Sequence, residues 1–319
     1  MYAALRLSGC TGLLAATTLF SGLSTAIQPP TYPGYTITWK DDFTGPAGSA
    51  PNANYWRTIT GYLNVNGEAE VYTASNNNLQ LSGGNTLQLV PQKDPASSGA
   101  GAGWTSARIE TDTAFQPVNG RITRVESSIR MGTNPASQKQ GIWPAFWLLG
   151  DSIRYGTNWP QCGELDIMEQ RNGVATGFGT AHCGSTGNGG ICNEPNGLGA
   201  TVAIPSVSRR SSRFKRDVFA NATVSADDGA FHVWTISFDL TSSNWQSQII
   251  TWALDGRTYF TLTGQRLNNQ TVWNSLAHNP LNIIFNVAVG GGFPGAPNAA
   301  TKGGYGSMME VQYVAIYSS

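Results

Sequence analysis

The stretch Gly163-Glu164-Leu165-Asp166-Ile167-Met168-Glu169 comes shortly after an aromatic run, Trp143-Pro144-Ala145-Phe146-Trp147, and sets three carboxylates among apolar residues. A helix turns about 100° per residue, so Glu164, Asp166 and Glu169 would point in three directions. In a strand, side chains two apart share a face. Glu164 and Asp166 then stand side by side while Leu165 and Ile167 pack inward. Glu169 breaks the parity, because its offset from Glu164 is odd. One extra residue at Ile167-Met168, a β-bulge, restores the parity and returns Glu169 to the face of the other two. The segment predicts a bulged strand with one acidic face.

The rest of the chain agrees with strands. Short alternating or apolar runs recur at Thr36–Lys40, Leu87–Pro91, Ala107–Thr111, Arg121–Met131, Ile142–Leu149, Phe231–Asp239, Gln248–Asp255, Tyr259–Thr263, Leu281–Val289 and Met309–Tyr317. Turn pairs Asn66-Gly67, Asn172-Gly173, Asn188-Gly189 and Asp255-Gly256 punctuate them. At most one short helix, near Val272–Ala277, interrupts the pattern. This predicts an all-β chain of two packed antiparallel sheets, a β-jelly roll with a concave cleft. No internal repeat or linker is evident, so residues 27–319 are read as one domain, long for a sandwich and extended by loops. The Ser-rich, basic stretch 206–226, with Arg209-Arg210, Arg213 and Lys215-Arg216, reads as an inserted exposed loop. A substrate-contacting or proteolytically processed loop is its functional alternative.

Composition narrows the partners. Only 12% of residues are charged and the formal net charge is zero, so there is no basic field to hold nucleic acid or an anionic membrane. The 38 Gly, 10 Trp and 11 Tyr suit a turn-rich sandwich with an aromatic groove that takes a neutral ligand.

Three acids on one strand face have two readings. Alternating acids often mark only a wetted strand face. Alternatively, two carboxyl groups about 5 to 5.5 Å apart can cleave a glycosidic bond with retention, one as nucleophile and one as acid. Crowded acids do not all ionise easily, so at least one pKa rises and leaves a proton for the departing oxygen. Asp166, between the glutamates, can tune that balance. The neighbouring tryptophans favour the second reading.

The run Glu164-Leu165-Asp166-Ile167-Met168-Glu169 resembles the signature of glycoside hydrolase family 16 in its bulged form, Glu-x-Asp-x-x-Glu, typical of laminarinase-type endo-β-1,3-glucanases. The resemblance extends to Trp143–Gly150, Trp159-Pro160, Thr180-Ala181-His182, Phe231-His232-Val233-Trp234, Trp252-Ala253-Leu254-Asp255-Gly256 and Asn286-Val287-Ala288-Val289-Gly290-Gly291. It covers most of residues 27–319 and is strongest toward secreted fungal endo-β-1,3(4)-glucanases. It implies a concanavalin A-like jelly roll, with Glu164 as nucleophile, Glu169 as general acid/base and Asp166 as modulator. It also implies that His182 supports the carboxylates and that Trp147 and Trp159 bind sugar. No cofactor is implied for cleavage; a structural calcium is common in the family, but this sequence gives no ligand set for it.

Each remaining candidate has a plainer alternative. A lone strand histidine is more often structural, yet the turn at Asn172-Gly173 lets the strand of His182 fold back beside the motif. Arg108, in Ser106-Ala107-Arg108-Ile109, either bonds sugar hydroxyls near the nucleophile or is a surface arginine. Trp143, Trp234 and Trp252 are assigned to the core, since Trp buries so much surface.

Residues 1–26 read as a secretory signal peptide: Arg6, an apolar stretch from Leu13 to Phe20, and small residues to Ala26. A secreted, monomeric protein is expected. Asn221-Ala222-Thr223 and Asn269-Gln270-Thr271 are glycosylation acceptors that fit that route. Cys183 and Cys192 flank a Gly-rich stretch and form a disulfide candidate. Cys162 is the odd thiol: parity with Glu164 turns it toward the cleft and Cys183 away from it. A zinc site from His182, Cys183 and Cys192 lacks a fourth local ligand.

Substrate choice is less firmly marked than reaction class. In many β-1,3-glucanases of the family the Gly-Gly loop carries a tryptophan against the sugar; here Phe293 follows Gly290-Gly291-Gly292. β-1,3-Glucan is the first expectation, mixed β-1,3/1,4-glucan the second, and β-1,3-galactan a third. Two other classes compete with hydrolysis. Wall transglycosylases of the family usually show the unbulged motif and often a lipid-anchor tail, neither of which is present here. A lectin on the same sandwich does not need two reactive acids.

Overall fold

The computed structural model describes residues 27–96, 103–205 and 229–319. The expected signal peptide, the insertion 206–226 and Asn221 lie outside the described residues. In chain order the strands are β1 (Thr36–Asp41), β2 (Trp56–Ile59), β3 (Glu70–Tyr72), β4 (Leu79–Leu81), β5 (Leu87–Leu89) and β6 (Gln92–Asp94). Next come β7 (Gly103–Ser106), β8 (Arg108–Thr111), β9 (Ile122–Met131), β10 (Ile142–Gly150), β11 (Glu164–Glu169) and β12 (Thr176–His182). The last six are β13 (Leu198–Ala203), β14 (His232–Asp239), β15 (Ile249–Leu254), β16 (Arg257–Thr263), β17 (Leu281–Val289) and β18 (Met309–Ser318).

Two antiparallel sheets face each other. One runs β16-β15-β14-β9-β18-β5-β4, with β1 also paired to β18; the other runs β13-β12-β11-β10-β17-β8-β2. A small third sheet, β3-β7-β6, contains the parallel pair β3/β7. The core fills the space between the two large sheets. Phe146, Leu148, Leu165, Phe285 and Val287 from the seven-stranded sheet meet Val125, Ile129, Trp234, Ile236, Trp252 and Val314 from the other. The expected jelly roll is present.

The turn chemistry also behaves as expected. In Asn66-Gly67, Asn172-Gly173 and Asp255-Gly256 both residues have positive φ, the signature of turns that match strand twist. Asp255-Gly256 joins β15 to β16, and Asn172-Gly173 lies between β11 and β12. The expected helix is α2 (Gln270–Ala277), capped by Asn269 Oδ1, which accepts from the Val272 amide. A second, α1 (Gly264–Leu267), precedes it, so the estimate of one helix was too low.

The bulge lies where parity demands it. On one side Phe146 pairs with Met168 and Trp147 with Asp166, leaving Ile167 as the spare residue. On the other, Asp166 pairs with Thr180 and Glu169 with Phe178, again one residue out of step. Leu165, Ile167 and Met168 are all fully buried, so the two adjacent bulge residues both turn inward. Glu164, Asp166 and Glu169 share the outer face.

Candidate active site

Strand register places the acids in successive rows. Leu149, Glu164 and His182 lie abreast, then Trp147, Asp166 and Thr180, then Ala145, Glu169 and Phe178. β17 continues these rows with Asn282, Ile284 and Asn286, and β8 adds Glu110 and Arg108 to the last two.

His182 ties the Glu164 end together. Its Nε2 lies 3.4 Å from Asp166 Oδ2 and 4.0 Å from Glu164 Oε1, and its Nδ1 lies 2.6 Å from Glu194 Oε2. Burial alone would lower the His182 pKa. The hydrogen bonds to Asp166 and Glu194, with the Asp166 and Glu164 charges, outweigh burial and push it up to about 11. That shift favours the imidazolium form, with Nδ1 facing Glu194 and Nε2 facing Asp166. Glu194 is itself buried and also accepts the Cys183 amide at 2.8 Å. Glu164, Asp166 and His182 offer donor atoms within 4.8 Å of one another, a count that a cation site would use.

The two glutamates are both raised, with different opposing contacts. Burial, then the Asp166 charge, raises Glu164, while the His182 and Arg108 charges and a hydrogen bond from Trp159 pull it back. Burial, then Asp166, also raises Glu169 well above the carboxylate range, and the main opposing contact is one hydrogen bond from Trp143. The relief differs: at Glu164 it comes from the His182 and Arg108 charges and Trp159, at Glu169 from Trp143 and the His182 charge.

Aromatic rings flank both ends. Trp159 is partly exposed and its ring lies 5.5 Å from that of His182. Trp147 donates to Asn286 Oδ1 at 2.8 Å, and the Arg108 guanidinium lies 4.9 Å from its ring. Arg108 is no free surface residue, because it also pairs with Glu110 at 2.7 Å. At the other end, Phe293 sits 5.2 Å from both Trp143 and Phe178, and the Arg171 guanidinium lies 4.3 Å from its ring. All the expected sugar-facing residues, Trp147, Trp159, Arg108 and Phe293, are on this side.

Trp143 needs correction. It was assigned to the core, but it is partly exposed and its Nε1 donates to Glu169 Oε1 at 2.8 Å. Its parity with Trp147 carried that information. Trp234 and Trp252 are buried as expected. Glu194 was missed, although it is the one charged residue between Gly184 and Gly199. Phe178 was missed too, although it shares strand parity with His182.

The cysteines fall as parity required. Cys183 and Cys192 form a disulfide, and Cys183 faces the core. Cys162 is a free, buried thiol packed with Leu149, Ile284 and Trp147 beneath the site face. Burial, then the Glu164 charge, pushes it up to about 12, so it stays an unreactive thiol.

Comparison with known proteins agrees with this geometry. The family model described as "XgeA-like, catalytic GH16 domain" matches residues 64–212, which include all three acids. The crystal structure of an endo-1,3-beta-glucanase from Streptomyces sioyaensis superposes with a TM-score of 0.78 at 35% identity, covering 92% of this chain and 99% of that one. The chain belongs to glycoside hydrolase family 16. An endo-beta-1,3-glucanase from Pyrococcus furiosus, at 29% identity, gives a TM-score of 0.66 over 89% of this chain and 94% of its own. The glucan endo-1,3-beta-glucosidase A1 of Niallia circulans is 27% identical over 92% of this chain, but the chain spans only 39% of that protein's length.

Proposed function

We propose that this protein is a retaining endo-β-1,3-glucanase of the laminarin-cleaving type. The observation that carries the reading is the bulge at Ile167, which puts Glu164 and Glu169 on one face, each beside Asp166 but with different hydrogen-bonding tryptophans. Glu169 donates its proton to the glycosidic oxygen as the bond breaks. Glu164 attacks the anomeric carbon and forms a glycosyl-enzyme ester. Glu169, now a carboxylate, takes a proton from water as that water cleaves the ester, so two inversions give net retention. The His182 and Arg108 charges favour the Glu164 carboxylate, while burial and the neighbouring Asp166 charge oppose it. Glu194 fixes the His182 ring from its far side.

The likeness to endo-1,3-beta-glucanases from Streptomyces and Pyrococcus supports β-1,3-glucan as the substrate. The low formal charge of the chain supports a neutral polymer. The reading includes a secreted protein acting as a monomer without a cofactor; the N-terminal pattern of residues 1–26 supports the secretion.

The test is to incubate the protein separately with laminarin, barley mixed-linkage glucan and β-1,3-galactan and to size the products. Internal oligosaccharides from laminarin with β-configured new ends are the expected result. Lengthened chains would replace hydrolase by transglycosylase, cleavage of galactan alone would reassign the substrate, and binding without cleavage would make the protein a lectin.

A further inference from the structure

The acid strand is not the only bulged strand in the molecule. In the opposite sheet, Trp252 pairs with Phe260 while Ala253 pairs with Thr258, which leaves Tyr259 as a spare residue of β16. A bulge re-aims the residue it carries. Here Tyr259 joins Phe260 on the inner side and packs against the core. Its hydroxyl donates to the Ile167 carbonyl at 3.1 Å, that is, to the spare residue of the acid strand. Beside it, the fully buried Trp252 donates from Nε1 to the Asp166 carbonyl at 2.8 Å.

The strand between the two bulges makes room for these contacts. Gly179 of β12 lies between Phe178 and Thr180, opposite the residues that step out of register. A Cβ at Gly179 would collide with the Tyr259 hydroxyl and the Trp252 ring. Two donors, one bulge and one absent side chain thus converge on two consecutive carbonyls of the acid strand. A buried Trp N–H and Tyr O–H each need a partner, and here both find it on the backbone of the bulge.

We propose that Trp252 and Tyr259 are positioning residues for the reacting acids: from the far sheet they hold the Asp166 and Ile167 carbonyls and so fix the turn of backbone that sets Glu169 beside Glu164. The inference rests on Glu164 and Glu169 being the reacting pair. Neither Trp252 nor Tyr259 touches substrate. Their effect reaches the reaction through the spacing of two carboxyl groups, where small displacements are costly in rate.

Tyr259→Phe keeps the ring and removes only the donor. The expected result on laminarin is a kcat lower by about ten-fold with KM within about twofold of the parent, since binding is left in place and the reacting geometry is not. Released from its clamp, Glu169 moves away from Asp166 and Glu164. Its raised carboxyl titration, followed by NMR of 13C-labelled glutamate, should then fall toward the ordinary range. Trp234→Phe is the control: Trp234 is equally buried and packs beside Gly177 on the same strand, and it should lower the melting temperature without moving the carboxyl titration. A Tyr259→Phe protein with unchanged kcat and unchanged titration overturns the proposal. So does a loss of activity that merely follows melting temperature in both variants. A parent protein that cleaves no polysaccharide would sink the glucanase reading, while the titration would still decide whether Tyr259 fixes the acids.

Discussion

Two carboxylate clusters lie on opposite sheets, and they are built on opposite plans. Glu126, on β9, is completely buried and has donors on every side. Tyr32, Tyr313 and Tyr317 hydroxyls lie 3.0, 2.9 and 3.3 Å from its oxygens, and Arg124 donates from Nε at 2.8 Å. Burial, then the Glu126 charge, pushes Tyr32 up to about 12, so it remains a donor throughout the ordinary pH range. At the active site, by contrast, carboxylates face carboxylates, and His182 is the main cation among them. The first arrangement satisfies an anion and ties Tyr32, near the start of the described chain, to the C-terminal strand β18. The second leaves a proton that is easily given and taken. Glu126 is fully buried and Glu164 and Glu169 only partly so; exposure and the kind of neighbour together separate anchorage from chemistry.

The comparison breaks most sharply at Glu164. Glu164→Gln should cut kcat by roughly 10⁴-fold or more, as loss of a nucleophile does, with a melting temperature close to the parent because a like-shaped polar group remains. Glu169→Ala should cost about 10²- to 10⁴-fold. Azide should restore part of that rate on a substrate with an activated leaving group, because azide attacks the glycosyl-enzyme without base help. An absence of azide rescue would argue against Glu169 as the acid/base. Glu126→Ala should do the reverse of both: stability falls by about 3 kcal/mol, since partly buried Arg124 and three tyrosine hydroxyls lose their partner, while kcat per folded molecule stays as in the parent. Denaturant unfolding and active-site titration separate these two effects.

The smallest effect sharpens the contrast by removing the cation. As an imidazolium, His182 lowers the Glu164 pKa, so His182→Asn raises it. Glu164 must be ionised to attack, and the acid limb of the kcat/KM profile therefore moves to higher pH. At neutral pH kcat/KM should drop roughly ten-fold, equivalent to about 1.4 kcal/mol of transition-state stabilisation. An acid limb that stayed in place would show that His182 does not set the charge on Glu164.

Much of the site was legible because parity is a strict rule. The odd spacing of Glu164 and Glu169 asked for a bulge, and the same counting set Cys162 apart from Cys183, although Cys162 is buried rather than open to the cleft. Trp143 was misjudged because composition was allowed to outweigh parity: 143 and 147 share a strand face, and a tryptophan is equally at home in a core. Glu194 reaches His182 from a loop whose path no local pattern dictates. Glu126 was not legible at all, since nothing in Val125-Glu126-Ser127 shows that tyrosines 94, 187 and 191 residues distant will surround it. Tyr259 sits between these cases. Adjacent Tyr259-Phe260 interrupts an alternating strand much as Ile167-Met168 does, and two neighbouring apolar residues in such a strand are a visible sign of a bulge.

The spare residue of the acid strand has a consequence for folding as well as for catalysis. A one-place slip of Glu164–Glu169 against β10 or β12 would turn buried Leu165 out to water and acids into the core. A two-place slip would keep the faces but carry Ile167 away from the carbonyl partners waiting in the other sheet. The strand can seat in a single alignment, and its neighbours take their positions from it. The segment with the most reactive side chains is also the index mark against which this half of the sandwich is assembled.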